Sequence, residues 1–362
     1  PLAVAAQGSA SAASPPVLVE GALLQQPVRW LVPVVVVALL AAITGVVSAG
    51  SGSESDPTEG ETADVATEAP ELPAPRYAVG TRTETFVDAS RPTRAYADKA
   101  AQPTRTLETV VFYPATGSPG GEVTPEAPPA TAEGPFPLIV FAHGSGGLGE
   151  RYFGLLRAWA GAGYVVAAPR FPFATDPDTA SPDDYPNQPG DMSFLVDELL
   201  AADSDGSDEL AGLIDPERIG AAGHSLGGMT TLGLVANTCC HDPRFDAGVV
   251  LAGRQVPFPG GDFWVRIRTP VLLIHGDADT SVVYADGRTA YKEASPPKHL
   301  VTILGGDHSD PYQGPATLPA VRVVTAATLD FFDHHLRGAA GGLDRLKADA
   351  NVQGVSRIDS ER

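Results

Sequence analysis

From residue 77 onward, short continuous apolar runs alternate with longer stretches whose apolar positions recur at helical spacing. The runs predict strands over 83–87, 107–113, 138–142, 164–168, 219–222, 247–251, 271–275 and 300–304. Several lack a polar alternate face, as expected of parallel strands covered on both sides. The intervening stretches predict helices over 150–160, 191–201, 225–236, 284–293 and 318–336. Two strands followed by strand–helix alternation imply an α/β domain over 77–337, with a mostly parallel eight-stranded sheet flanked by helices. Residues 338–362 open with Gly338 and Gly-Ala-rich sequence and read as a loosely attached C-terminal tail.

The N-terminal part has a different pattern. Residues 1–29 are Ala-rich, and Arg29 precedes an apolar run over 30–47 with no polar face. At about 1.5 Å per residue such a helix nearly matches a hydrocarbon core of about 30 Å, so the run reads as a transmembrane anchor or a signal segment. Val47-Ser48-Ala49 resembles a signal-peptidase site, whereas the long apolar run and the length preceding it suit an uncleaved anchor. Both fates stay open. Residues 51–75 carry seven acids and no base, which with Arg29 places the C-terminal bulk outside the cytoplasm, membrane-anchored or secreted. Residues 48–76 are acidic and Pro-rich and read as a disordered linker. A second Pro/Gly-rich patch, 116–135, reads as a surface loop.

Charge and cysteine content narrow the function classes. With 44 acidic and 24 basic residues the formal net charge is −20, a balance that repels nucleic acid. The two cysteines, Cys239 and Cys240, are neighbours and supply neither a disulfide framework nor metal-ligand spacing. A bond between adjacent cysteines is strained, so they are expected as two small buried residues. Nothing in the chain calls for a cofactor or a metal.

The candidate chemistry lies where strands end. Gly223-His224-Ser225-Leu226-Gly227 joins the strand 219–222 to a helix, the form required to project a nucleophilic hydroxyl from a tight turn between small residues. Downstream, the strand 271–275 runs into Gly276-Asp277-Ala278-Asp279. One of these carboxylates is expected to orient a histidine, with Asp279 favoured and Asp277 in reserve. His308 follows the last strand and Gly305-Gly306-Asp307, which makes it the candidate base. His143, His224 and His275 precede the position where a base is needed and read as supporting residues; His299, His334 and His335 read as packing or solvated ones. The glycine-rich turn His143-Gly144-Ser145-Gly146-Gly147 ends another strand, so the N–H groups of Ser145 and Leu226 are the candidate oxyanion hole.

These motifs, in this order, resemble the α/β-hydrolase superfamily over residues 80–337. Within it the chain is similar to the platelet-activating-factor acetylhydrolase-like, dienelactone hydrolase-like and cutinase-like polyester hydrolases. The resemblance implies a serine hydrolase that cleaves carboxylic esters through an acyl-enzyme, acting on lipid, polyester or small acyl esters. Ser225 points away from dienelactone hydrolases proper, which use Cys, and from dehalogenases, which use Asp. Residues 252–270 are too few for a helical cap domain, so the site is expected to be open, with 171–190 forming one wall. Phe171, Phe173, Phe263 and Trp264 are candidate acyl-pocket residues. The alternatives are a serine peptidase of the same fold and a non-catalytic, membrane-tethered binding protein.

Overall fold

All eight apolar runs become strands of one sheet, and two further strands complete it. The computed structural model describes residues 66–147, 149–175 and 180–362. The strands are β1 (Ala78–Asp88), β2 (Arg105–Ala115), β3 (Thr124–Pro125), β4 (Phe136–Ala142), β5 (Val165–Arg170), β6 (Ile214–His224), β7 (Phe245–Leu251), β8 (Val271–Gly276), β9 (Lys298–Ile303) and β10 (Ser356–Glu361). Their order is β10-β9-β8-β7-β6-β4-β5-β2-β1-β3. β5, β4, β6, β7, β8 and β9 run parallel, while β2 pairs antiparallel with β5 and β10 antiparallel with β9. The sheet is therefore mixed and ten-stranded rather than eight-stranded.

Complete burial explains the unbroken apolar runs. Every residue of β4, β8 and β9 is buried, because helices cover both faces. On one face, α2 (Gln188–Ser204), α3 (Leu226–Ala236) and α4 (Tyr284–Glu293) contribute Met192, Leu195, Leu232 and Ala290 to the core. On the other, α1 (Phe153–Gly161), α6 (Pro319–Arg337) and α7 (Gly342–Asp349) contribute Trp159, Phe331, Phe332 and Leu346. A one-turn helix, α5 (Asp310–Gln313), follows β9.

Four expectations need correction. Residues 338–362 are no loose tail: Leu346, Ala350 and Val352 are fully buried, and β10 adds to the edge of β9. The described end of the supposed linker also joins the domain, since Ala66 bridges Val352 and the Arg76 and Tyr77 N–H groups donate to Gly161 O. Within the 116–135 loop, Thr124–Pro125 pairs with β1 and Thr131–Glu133 forms a single helical turn. Cys239 and Cys240 are disulfide-bonded and not fully buried. They sit in the turn after α3, where the Asn237 side chain accepts from the Cys239 N–H and the Asn237 carbonyl from the Cys240 N–H.

The apolar run 30–47 lies outside the described residues; among those described, no helix is long and apolar enough to cross a membrane. Residues 252–270 contain no helix, so no cap covers the carboxyl edge of the sheet from there.

Candidate active site

β6 ends at His224, and the chain reverses through Ser225 into α3. Ser225 takes φ 55° and ψ −116°, a region that costs a non-glycine residue about 1–3 kcal/mol and persists only where its surroundings enforce it. Here the Ser225 N–H donates to Leu251 O at 2.9 Å. The turn is tight on both sides: a Cβ on Gly227 would overlap Ala142 O, and one on Gly223 would overlap Gly227 O. Small residues two before and two after the serine are thus a steric requirement of this geometry.

The end of β8 and the end of β9 bring the other two groups to the serine. Asp279 Oδ2 lies 2.7 Å from His308 Nδ1, and His308 Nε2 lies 2.9 Å from Ser225 Oγ. A carboxylate only accepts, so His308 carries its proton on Nδ1 and leaves Nε2 to accept the serine hydroxyl. Asp279 Oδ1 accepts the N–H groups of Ser281 and Val282. Burial pushes this carboxyl up, but the bond from His308 and those two N–H groups outweigh it and hold it below the usual carboxylate range. His275 reinforces the acid, with Nε2 2.8 Å from Val282 O and 3.3 Å from Asp279 Oδ2. Asp277 has a different task, accepting the Gly305 N–H at 2.7 Å. Asp307 likewise accepts the N–H groups of Ser309 and Asp310 and shapes the loop around His308.

The turn after β4 forms the opposite side of the site. A Cβ at Gly144 would stand 3.3 Å from Ser225 Cβ, which puts the turn against that serine. The Phe171 N–H donates to His143 Nε2 at 3.3 Å, so His143 donates from Nδ1 to Gly144 O at 2.7 Å. Gly147 N–H donates to the same carbonyl at 3.0 Å. In a trans peptide the carbonyl and the following N–H point opposite ways, so holding Gly144 O fixes the direction of the Ser145 N–H. That N–H and the Leu226 N–H at the first position of α3 have no hydrogen-bond partner among the described residues. Burial holds His143 down to about 4, so it stays neutral. Gly146 N–H donates to Ala174 O, which seats Ala174 beside this turn.

The fold separates the four aromatic candidates into two pairs. Phe171 and Phe173 are buried packing residues, against the His143 and Tyr96 rings respectively. Phe263 and Trp264 meet the far end of α3, where Trp264 N–H donates to Ala236 O. An eleven-residue helix is about 16 Å long, which removes both from Ser225. His299 and His335 are packing residues: His299 bonds Ser360, and His335 stacks near Phe331. Two tyrosines that no sequence motif marks also border the site. Tyr152 OH is 2.8 Å from His224 Nδ1, and Tyr312 donates to Ile274 O. The only trace of Tyr152 in the sequence is an aromatic pair, Tyr152-Phe153, just after the glycine turn.

A serine on a tight strand-to-helix turn at the carboxyl edge of this sheet, met by a histidine and a carboxylate from the ends of β9 and β8, is the arrangement of the α/β-hydrolase fold. No family model matches it. Two of the relatives it is similar to are named for ester hydrolysis. It is 31% identical over 219 residues to the protein named "Putative esterase NocK" of Nocardia uniformis subsp. tsuyamanensis, covering 58% of this chain and 57% of that one. It is 27% identical over 198 residues to the bis(hydroxyethyl) terephthalate hydrolase of Streptomyces coelicolor, covering 55% and 54%. The chain thus spans little more than half the length of these curated relatives. A ferulic acid esterase structure from Streptomyces cinnamoneus superposes with a TM-score of 0.56 at 24% identity, covering 75% of this chain and 94% of that one.

Proposed function

We propose that the protein is a serine esterase that cleaves carboxylic esters through an acyl-enzyme, with Ser225 as nucleophile, His308 as general base and acid, and Asp279 as the orienting carboxylate. The hydrogen-bonded chain Asp279–His308–Ser225 at a strained elbow carries this reading. His308 Nε2 takes the proton of Ser225 as Oγ bonds to the ester carbonyl carbon. The carbonyl oxygen becomes an oxyanion and is received by the Ser145 and Leu226 N–H groups, where one donor is typically worth about 3 kcal/mol. Asp279 stabilises the imidazolium, which then gives its proton to the departing alkoxide. Water repeats the sequence on the acyl-enzyme and releases the acid.

The names of the relatives favour esters over amides, and the absence of a helical cap in 252–270 favours bulky or polymeric esters. Lipid, polyester and small acyl esters are the substrates of this proposal. Its place is outside the cytoplasm, on the grounds of Arg29, the apolar run 30–47 and the acidic stretch after it. The Cys239–Cys240 bond fits an oxidising compartment.

The test is labelling with a fluorophosphonate, comparing wild type with Ser225→Ala, followed by p-nitrophenyl esters of increasing acyl length beside peptide anilides. Labelling that depends on Ser225 and turnover of esters but not anilides is expected. Absence of Ser225-dependent labelling overturns every enzymatic reading, and preferential anilide cleavage replaces the esterase with a peptidase.

A further inference from the structure

His224 is fully buried immediately before the nucleophile, yet it touches neither Ser225 Oγ nor Asp279 by hydrogen bond. Its Nε2 lies 2.7 Å from the backbone carbonyl of His308. A carbonyl only accepts, so Nε2 carries the proton and Nδ1 is the acceptor in the neutral ring. Nδ1 must then take the hydroxyl proton of Tyr152, 2.8 Å away. The Tyr152 oxygen in turn accepts the Gly144 N–H at 3.3 Å. Every donor direction is determined: Gly144 N–H to Tyr152, Tyr152 O–H to His224, His224 Nε2–H to His308 O.

The two ends of this chain are the segments whose placement decides the chemistry. Gly144 precedes Ser145, and His308 carries the base. From these contacts we propose that Tyr152 and His224 form a one-way hydrogen-bond relay that locks the Ser145 turn and the His308 loop in register around Ser225. The proposal rests on the roles assigned above to Ser225 and His308; within it Tyr152 and His224 are positioning residues that touch no substrate.

The surroundings suit that task. His224 packs its ring against His308, Tyr312 and Tyr152, at 4.8, 5.0 and 5.5 Å between centroids. Burial, helped by the neighbouring His308, holds His224 down to about 3, so it stays neutral and keeps a bare Nδ1. Burial raises the Tyr152 hydroxyl to about 12, so it keeps the proton it donates. A charged His224 would have two donors, one of them facing the Tyr152 hydroxyl, and the direction of the chain would be lost. The Tyr312 hydroxyl donates to Ile274 O and secures the far side of the same loop to β8. A misplacement of about 1 Å in such an arrangement costs on the order of 100-fold in rate.

The experiment compares wild type, Tyr152→Phe, His224→Leu, His224→Gln and the double variant Tyr152→Phe/His224→Leu. Four quantities are read: Ser225 labelling rate by fluorophosphonate, kcat and KM on p-nitrophenyl acetate, melting temperature, and the low-field proton resonance of the His308 Nδ1–H bond to Asp279. Tyr152→Phe and His224→Leu are expected to lower kcat and labelling rate at least tenfold with KM within about twofold, and to shift or broaden the low-field resonance. His224→Gln restores a donor to His308 O and is expected to recover most of the loss. Serial links predict a double variant no slower than the worse single one. Wild-type labelling with unchanged rates in folded Tyr152→Phe, or multiplying losses in the double variant, overturns the relay. Failure of the wild type itself to label at Ser225 rejects the underlying assignment instead. Should His224→Leu not fold, Tyr152→Phe, which removes a single oxygen, decides alone.

Discussion

Asp279 meets His308 at 2.7 Å, while Asp277, two residues earlier in the same loop, turns to the Gly305 N–H. β8 pairs in parallel with β9, with His275 opposite Thr302 and Gly276 opposite Ile303, so the loops leaving the two strands emerge side by side. The carboxylate nearer the strand end meets the backbone of the neighbouring loop, and the one further out reaches the imidazole. Asp279→Asn is therefore expected to lower kcat by as much as about 10⁴-fold by forcing the wrong tautomer of His308. Asp277→Asn keeps an acceptor for Gly305 and is expected to stay within a few-fold of wild type. Steady-state kinetics on one p-nitrophenyl ester distinguish the two, and equal losses would reject the assignment.

Much of this arrangement was legible in the sequence because it depends on local constraints. Gly223 and Gly227 are dictated by atoms within van der Waals reach, and the buried strands declare themselves by lacking a polar face. Ser225, Asp279 and His308 each stand at the end of such a strand, so their proximity follows from the sheet alone. What escaped depends on pairing at a distance. β10 reads Ser356-Arg-Ile-Asp-Ser-Glu361, a polar edge strand held by main-chain bonds to β9, and no hydrophobic pattern announces it. Tyr152 and Phe153 are adjacent aromatics, and nothing in their spacing says that one binds His224 while the other is exposed. Phe263 and Trp264 lie in the right loop, but their contact with the end of α3 removes them from the nucleophile.

The carbonyl of Gly144 is held by His143, and the direction of the Ser145 N–H depends on that bond. His143→Leu removes the donor while leaving the chain Asp279–His308–Ser225 untouched. One oxyanion donor is worth about 10²–10³ in kcat, which sets the upper limit of the expected loss. KM should change little, because the ground-state carbonyl makes a weaker bond than the oxyanion. Kinetics that show a raised KM with unchanged kcat would place the role of His143 elsewhere.

Away from the site, Arg105 at the start of β2 is almost completely buried between two carboxylates. Its guanidinium bonds Asp191 from Nε at 2.7 Å and Asp184 from Nη2 at 2.8 Å, fastening the turn Pro182–Asn187 and the start of α2 to the sheet. Arg105→Met leaves both acids buried, Asp191 with Arg91 and Asp184 with only the neutral Asn187 amide beside it, a loss of the kind that costs about 3–5 kcal/mol. A lowered denaturation midpoint with unchanged slope is the expected result. Stability equal to wild type would mean that water or a rearranged Arg91 replaces the guanidinium.

A second buried carboxylate makes stability depend on pH in the opposite sense from ordinary acid denaturation. Asp330 on α6 accepts from Arg345 through Oδ1, and the Asp349 carboxyl lies within hydrogen-bond reach of its own. Burial, only partly offset by Arg345 and reinforced by Asp349, pushes Asp330 up to about 7, and Asp349 is raised with it. A carboxyl raised on folding stabilises the native state fully below its unfolded value near 4, and this contribution disappears as pH rises through about 7. Above that pH the folded protein carries a buried charge that the unfolded chain would leave in water. Asp330→Asn keeps the acceptor for Arg345 and offers an N–H to Asp349. The variant is expected to match wild type near pH 4 and to melt several degrees higher at pH 8, with the difference developing between pH 4 and 7. Melting curves across that range check it, and a difference that does not vary with pH would show that Asp330 is ionised in the folded protein throughout.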